Sequence, residues 1–132
     1  MKKSKPDEMP ALSEGQMEIM NVAWELGEVT LGEVWKELQE RRPVARNTIQ
    51  TLLSRLVDKG WLQFRAEGKV FHYSAAVPRQ ATLSHVVQRL VDTAFKGSTE
   101  GLVMALLDGQ ELGSDEAGRI RELIEKAERG RK

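Results

Sequence analysis

The chain has 132 residues, of which 40% are hydrophobic and 30% charged, and it contains no cysteine. This length allows one domain, or a small domain with a helical appendage, and the composition is typical of a globular protein. Disulfides and thiolate metal sites are excluded, no apolar run reaches the roughly 18 residues of a membrane span, and the basic start lacks the apolar stretch of a signal peptide. We therefore expect a cytoplasmic protein without membrane insertion, bound metal or other cofactor.

The net charge of zero conceals two blocks of opposite sign. Residues 7–40 contain nine acidic residues and one basic residue, a net charge of −8. Residues 41–79 contain eight basic and two acidic residues, a net charge of +6. Because a local block of positive charge attracts a polyanion even in a neutral protein, nucleic acid is a candidate partner of the second block.

Residues 1–10 combine three lysines, two acids and two prolines, which predicts a disordered arm. Two helices follow, because Ser13 with Gln16 and Thr30 with Glu33 each form a capping-box pattern before an apolar run. Pro43 ends the second of these helices, since proline cannot continue it. Together with the next two elements they predict a domain at residues 11–77.

Residues 44–60 predict a third helix with two distinct faces. Apolar residues recur at helical spacing on one face, namely Ile49, Leu52, Leu53, Leu56 and Val57. The other face and its edges carry arginines and short hydrogen-bonding side chains: Arg46, Asn47, Thr48, Gln50, Thr51, Ser54 and Arg55. No acidic residue interrupts this face before Asp58, and such side chains suit phosphates and base edges. The alternative is an ordinary amphipathic helix with a solvated polar face.

Residues 61–74 change to the period of two that is typical of strands, and Gly68 supplies a hairpin turn between the two runs. A helix-turn-helix followed at once by a hairpin predicts a winged helix, with Arg65 and Lys69 near the tip as phosphate contacts. The alternative is a plain hairpin that closes the core and carries solvated charges at its tip.

Helical patterns resume after Pro78 and predict three helices in residues 78–132. Ser98 or Thr99 is expected to cap the second helix, and Ser114 the third. Their apolar stripes consist of Leu83, Val87, Leu90 and Ala94, then Leu102 and Leu106, then Ile120, Leu123 and Ile124. Because about 50 residues cannot bury this much apolar surface alone, we expect a two-fold homodimer through these residues. The alternative is that the helices fold back onto the first domain. The fold class predicted is mainly α: a winged helix-turn-helix with a small β-hairpin wing and a C-terminal three-helix dimerisation region.

The sequence resembles the penicillinase-repressor family of bacterial winged-helix regulators, which includes the methicillin-resistance repressors. The resemblance runs from Leu12 to about Lys126 and rests on the order of several short motifs. These are Leu12-Ser13 with residues 16–20 and Trp24, the run from Asn47 to Leu56, Lys59-Gly60, and Phe71-His72-Tyr73-Ser74. It implies a homodimeric repressor that binds a palindromic double-stranded DNA operator.

The resemblance also implies contacts and a trigger. It places Asn47, Thr48, Gln50 and Thr51 at base- and phosphate-contacting positions, where the well-known members carry Lys and Arg in place of Asn47 and Gln50. Asparagine and glutamine pair with adenine, so a related but different operator is expected. In the well-known members a membrane sensor protease triggers cleavage at an Asn-Phe pair. The matching position in this chain is residues 104–107, which do not contain that pair. A copper-responsive branch uses paired cysteines, and this chain has none.

Two other functions are compatible with parts of the sequence. A winged helix can be a protein assembly module, and the acidic residues 7–40 could serve a basic partner, although such modules usually lose the basic helix face. An enzyme is not expected, because His72 and His85 fall in different elements and the chain contains neither a P-loop nor a G-x-G-x-x-G motif. No catalytic residue is therefore predicted.

Overall fold

Six α-helices and three short β-strands make up residues 9–130, the part of the chain that the computed structural model describes. In chain order they are α1 (Glu14–Leu26), β1 (Glu28–Val29), α2 (Leu31–Gln39), α3 (Arg46–Asp58), β2 (Leu62–Glu67), β3 (Val70–Ala75), α4 (Arg79–Ala94), α5 (Thr99–Asp108) and α6 (Ser114–Gly130). The predicted mainly α, winged helix-turn-helix fold is confirmed. Within the described residues, no helix combines the length and apolar character needed to cross a membrane.

Both predicted capping boxes are present. The Ser13 hydroxyl accepts a hydrogen bond from the Gln16 backbone N–H at 3.2 Å, and the Gln16 side chain accepts one from the Ser13 N–H at 2.9 Å. Thr30 and Glu33 make the same exchange at the start of α2, at 3.2 and 2.9 Å. Each box satisfies two backbone donors that a helix start would otherwise leave unpaired.

The sheet has three antiparallel strands in the order β1-β3-β2. The predicted hairpin of β2 and β3 is present, and its turn contains Gly68 with φ 62°, a conformation that glycine adopts without strain. The sequence did not predict β1, which pairs Glu28 with Ser74 and Val29 with Tyr73 on β3. Two residues are too few to show a period, and this short strand links the wing to the start of α2.

The apolar face of α3 lies in the core of the first domain. Ile49, Leu53 and Leu56 are 0% exposed, and Leu52 and Val57 pack against the same cluster half-buried. Burial of one such side chain stabilises the fold by about 1.5–3 kcal/mol, so this stripe fixes which face α3 turns outward.

Each of the three tryptophans ties a loop to this core through its indole N–H. Trp24 donates to the Val77 carbonyl at 3.0 Å and Trp35 to the Val44 carbonyl at 2.9 Å. Trp61 donates to the carbonyl of Pro10 at 3.2 Å, and Met9 beside it is buried. Of the predicted arm, residues 1–8 lie outside the described part of the chain, whereas Met9 is part of the core and Pro10 is held by this hydrogen bond.

The chain divides into two compact units, one ending at Gln88 and one beginning at Arg89. This division falls inside α4, whereas the sequence-based boundary lies just before that helix, at Pro78. In the second unit, the Ser98 hydroxyl caps α5 by accepting a hydrogen bond from the Gly101 N–H at 2.9 Å. Of the two predicted caps, Ser98 and Thr99, the structure has Ser98 in this role. Ser114, predicted as a cap, is instead the first residue of α6.

Candidate nucleic-acid interface

The outward face of α3 carries all seven side chains that the sequence nominated on this helix. Because the apolar stripe packs into the core, these polar residues lie on the solvent side, and every one of them is exposed: Arg46, Asn47, Thr48, Gln50, Thr51, Ser54 and Arg55. The face contains arginines, amides and hydroxyls over three turns. It therefore offers donors and acceptors for base edges together with cations for phosphates.

The start of α3 is held by Trp35 of α2. The Arg46 guanidinium carbon lies 5.8 Å from the centre of the Trp35 ring, within the range of a cation–π contact. The same indole holds the carbonyl of Val44, two residues earlier. Trp35 thus positions both the turn before α3 and the first cation of its exposed face.

Two polar groups of the exposed face differ in what they can offer. The Thr51 hydroxyl donates to the backbone carbonyl of Asn47 at 3.1 Å, so its hydrogen is used inside the helix while its oxygen can still accept. Gln50 extends from the next turn of the helix into an open cleft. The side-chain amide of Gln50 can both donate and accept, which is the pattern that adenine requires.

An open cleft of about 470 Å³ separates α3 from the wing. It brings together Arg46 and Gln50 of α3 and Lys69 of the hairpin tip, which are three of the nominated residues. The remaining lining comes from the start of α2 and from β3: Thr30, Leu31, Gly32, Val70, Phe71 and Tyr73. Cations on two sides of one cleft suit a polyanionic strand.

Arg65, the other nominated wing residue, lies outside this cleft. Its guanidinium donates to both carboxylate oxygens of Glu28, at 2.8 and 2.9 Å, and to Glu67 at 2.8 Å. These hydrogen bonds lower the pKa of both carboxyl groups and raise the pKa of Arg65 further above its usual value. Successive strand residues point to opposite faces, and Phe64 faces α3, so Arg65 is on the far face of the wing.

A second arginine of the basic block is also paired. Arg42, just after α2, donates to Glu18 of α1 at 2.8 Å. This hydrogen bond lowers the pKa of the Glu18 carboxyl, although partial burial opposes the shift. With Arg42 and Arg65 bound to carboxylates, the unpaired positive charge of residues 41–79 is more concentrated on α3 and Lys69 than the sequence alone indicates.

The inner face of the wing carries an aromatic cluster that the sequence analysis did not assign to the interface. Phe64 and Phe71 have ring centres 4.7 Å apart, and Tyr73 lies within 6.3 Å of both. The two phenylalanines remain 46% and 44% exposed, and both line a smaller cleft beside Ser54 of α3. The sequence did contain a signal for this cluster, because Phe64 and Phe71 are aromatic residues at strand positions near the hairpin turn, where few core residues are available to cover them.

The nominated dimerisation residues also leave apolar surface open within each unit. In the first unit Val87 is 47% exposed and Leu83 half-buried. In the second unit the nominated residues are Leu90, Ala94, Leu102, Leu106, Ile120, Leu123 and Ile124, of which only Leu102 is half-buried and the rest are exposed. An apolar groove of about 340 Å³ runs between α5 and α6.

These features together define a winged helix-turn-helix protein of the DNA-binding type. The family model for the penicillinase repressor matches residues 12–126, and the chain belongs to that family. The penicillinase repressor of Bacillus licheniformis is 27% identical over 117 residues, covering 89% of this chain and 91% of its own. The methicillin resistance regulatory protein MecI of Mammaliicoccus sciuri is 25% identical over 115 residues, covering 87% of this chain and 94% of its own.

Two solved structures show the same winged-helix fold. The solution structure of the DNA binding domain of the repressor BlaI is 36% identical, with a TM-score of 0.51, and covers 55% of this chain and 89% of that domain. The apo form of MarR from E. coli is 19% identical, with a TM-score of 0.52, and covers 88% of this chain and 77% of its own. At that identity MarR supports the fold alone.

Proposed function

We propose that this protein is a homodimeric transcriptional repressor that binds a palindromic operator through α3 in the major groove. The observation that carries the proposal is the exposed face of α3, which is free of acidic residues before Asp58 and lies opposite the buried side chains of Ile49, Leu53 and Leu56. Membership of a family whose relatives are named repressors supports the same function. A repressor of this kind requires DNA binding and no catalysis.

The roles of the side chains follow from their chemistry. Asn47 and Gln50 read adenines, and Thr48, Thr51 and Ser54 contact base edges or backbone. Arg46 and Arg55 bind phosphates or guanine from the same helix. Lys69, across the cleft, neutralises a phosphate of the flanking backbone, which fixes the register of α3 without adding sequence information.

A homodimer accounts for the open apolar surface of the three C-terminal helices. Leu106, Leu123 and Ile124 are 53%, 66% and 55% exposed, which is costly in water and removable by a second copy. Two copies of α3 then reach two half-sites spaced by about one turn of DNA, roughly 34–36 Å.

The dimer is tested by substituting Leu123 with glutamine and measuring sedimentation equilibrium. Because each dimer would lose two buried leucines at about 1.5–3 kcal/mol each, the dissociation constant should rise by about 10²- to 10⁴-fold. Glu125→Gln, two residues along the same exposed helix, is the matched control and should leave it unchanged. A monomeric wild type, or a Leu123→Gln variant that dimerises normally, contradicts this interface.

A membrane sensor protease as a second partner requires a change in α5. The matching residues 104–107 lie inside this helix, and Met104 is 64% exposed. Proteases bind extended chain, so α5 must unwind before cleavage, which would then detach α6 from the dimer contacts. Limited proteolysis should therefore cut this segment faster in Leu123→Gln monomers than in wild-type dimers.

The DNA proposal is tested by selecting duplexes from a random pool and measuring their affinity by fluorescence anisotropy. We expect a palindromic sequence bound at least about 10³-fold more tightly than scrambled duplex at physiological salt. A bound pool without a common sequence contradicts an operator. If the protein binds no duplex at moderate salt, the proposal is contradicted altogether and a protein assembly module is favoured.

A further inference from the structure

The wing has an outer face with a charge cluster formed by Glu28, Arg65 and Glu67. We propose that Arg65 is a positioning residue in this cluster, which joins the wing to the start of α2, and that it does not bind DNA. The proposal rests on the proposed function where it concerns affinity for an operator. The inner face of the wing, with Phe71 and Lys69 beside the cleft, is then held at a set distance from α3.

The geometry of the cluster is that of a crosslink between strands. Arg65 lies on β2 opposite His72, and its guanidinium spans β3 to reach Glu28 on β1. Both oxygens of Glu28 accept a hydrogen bond, in the two-pronged arrangement that gives arginine–carboxylate pairs their specificity. Glu67 holds a third donor of the same guanidinium. Since β1 pairs with β3 over two residues only, this crosslink adds to the hold that the buried Val29 side chain gives β1.

The crosslink can affect DNA binding because β1 leads directly into the cleft between α3 and the wing. Val29 is followed directly by Thr30, the cap of α2, and residues 30–32 form one wall of the cleft. The hairpin that carries Arg65 supplies another wall through Lys69 and Phe71. The crosslink therefore joins two walls of the cleft, and its loss would let the wing move relative to α3.

The charges of the cluster argue against a direct phosphate contact. Two carboxylates surround one guanidinium, so the cluster carries a net charge of −1 and repels a polyanion. The opposite holds for Lys69, which shares its cleft with Arg46 and is exposed. One of the two nominated wing cations thus faces the proposed DNA path, and the other faces away from it.

The first test compares Glu28→Gln with Arg65→Gln in operator binding across a range of salt concentrations. Glu28→Gln removes a negative charge, so long-range electrostatics alone predicts tighter binding. A positioning role predicts that both variants weaken binding by about three- to tenfold, with the double variant no weaker than either single one, as for groups in direct contact. The slope of log affinity against log salt should stay unchanged. Glu25→Gln, an exposed acid of α1, is the matched control and should not weaken binding.

The charge-reversed double variant, Glu28→Arg with Arg65→Glu, keeps the net charge and restores the pair between β1 and β2, but it places a second carboxylate beside Glu67. It should therefore bind more tightly than Arg65→Gln without reaching the wild-type affinity if the pair acts as a unit. If instead Arg65→Gln lowers the salt slope by about one and Glu28→Gln binds as tightly as wild type or more so, Arg65 is a phosphate contact. That result overturns the proposal while leaving the repressor function intact.

A second test uses the free protein and does not depend on DNA. Hydrogen exchange at the backbone amides through which β1 and β3 bond, one facing pair among residues 28, 29, 73 and 74, should become about three- to tenfold faster in Glu28→Gln and in Arg65→Gln, because β1 opens more often. Amides between β2 and β3 near the turn should keep their wild-type rates. Unchanged exchange at β1 in both variants overturns the positioning role, whether or not an operator is found.

Discussion

α2 and α3 are neighbouring helices of one helix-turn-helix, and they begin in opposite ways. α2 starts with a complete capping box and has Glu33 in its first turn, where a negative charge suits the helix dipole. α3 starts after Ala45, whose methyl group cannot accept a hydrogen bond, and its first turn holds Arg46, a cation. The local rules for a stable helix start are met in α2 and broken in α3.

The difference fits the proposal that α3 is the helix that binds DNA, because its start is less favourable for stability than the start of α2. Lack of a cap costs about 0.5–2 kcal/mol, and a cation at a helix start adds a few tenths more. In α3 the buried stripe offsets this cost, together with the contact of Arg46 with Trp35. Sites where a sequence breaks local rules are often functional, and the open start of α3 presents a cation to the cleft.

The largest expected effect comes from removing the support of α3. Leu53→Ala should lower the free energy of unfolding by about 2–5 kcal/mol, because Leu53 is fully buried and the cavity cannot close completely. Ser54→Ala, one residue away on the exposed face, should change it by less than about 0.5 kcal/mol. Urea denaturation of both variants measures the contrast, and equal losses would contradict the assignment of the two faces.

The next effect concerns what the exposed face reads. Gln50→Ala should reduce discrimination at one base pair of each half-site by about 1–3 kcal/mol, since the variant cannot make the bidentate contact with adenine that we propose for Gln50. Competition between the selected operator and its single-base variants measures this change. Gln80→Ala, an exposed glutamine in the first turn of α4, should leave discrimination unaltered. Uniformly weaker binding to every sequence would instead make Gln50 a backbone contact.

A reciprocal pair of cap variants tests the comparison directly. Thr30→Ala should destabilise the protein by about 0.5–2 kcal/mol, whereas Ala45→Ser should stabilise it by up to about 1 kcal/mol, because it gives α3 the cap it lacks. Ala81→Ser, at an exposed position inside α4, controls for the serine itself and should be slightly unfavourable. If Ala45→Ser has no effect on stability, the start of α3 is not the weak end that its sequence indicates.

Local patterns account for the parts of this fold that the sequence predicted. The boxes at Ser13 and Thr30, the stripe through Ile49 and Leu53, and the turn at Gly68 all depend on residues a few positions apart. Contacts over long sequence distances were missed. β1 has only two residues, which is too short for a periodic pattern. Glu28 and Arg65 are 37 positions apart, so no local pattern predicts their contact.

The same limit explains the incomplete prediction of the site. Exposure of the nominated α3 residues follows from helical geometry once the buried stripe is recognised. Arg65 and Lys69 look equivalent in the sequence, since both are cations near a hairpin turn. The sequence cannot show which of the two cations faces α3, because that depends on which elements pack against each face of the wing. Lys69 lies beside the cleft with α3, whereas Arg65 binds Glu28 of β1. The aromatic cluster of Phe64 and Phe71 was missed because the first domain fills its core without them.

The smallest expected effect is the pH dependence contributed by the pair of Glu18 and Arg42, which fixes α1 to the end of α2. The hydrogen bond from Arg42 lowers the pKa of Glu18 in the folded state, so the carboxylate contributes stability above its unfolded pKa of about 4.3. That contribution is lost as the pH falls through the lower folded value.

The wild type should therefore lose more stability than Glu18→Gln between about pH 5 and pH 3, as measured by urea denaturation at each pH. The difference is small because the Arg42 side chain is half exposed and salt screens the pair. The double variant should follow the Glu18→Gln profile, because neither contains the Glu18 carboxyl. An Arg42→Gln variant that still loses more stability than Glu18→Gln over this range would show that Glu18 has another partner in the folded state, and Arg41 is the nearest candidate.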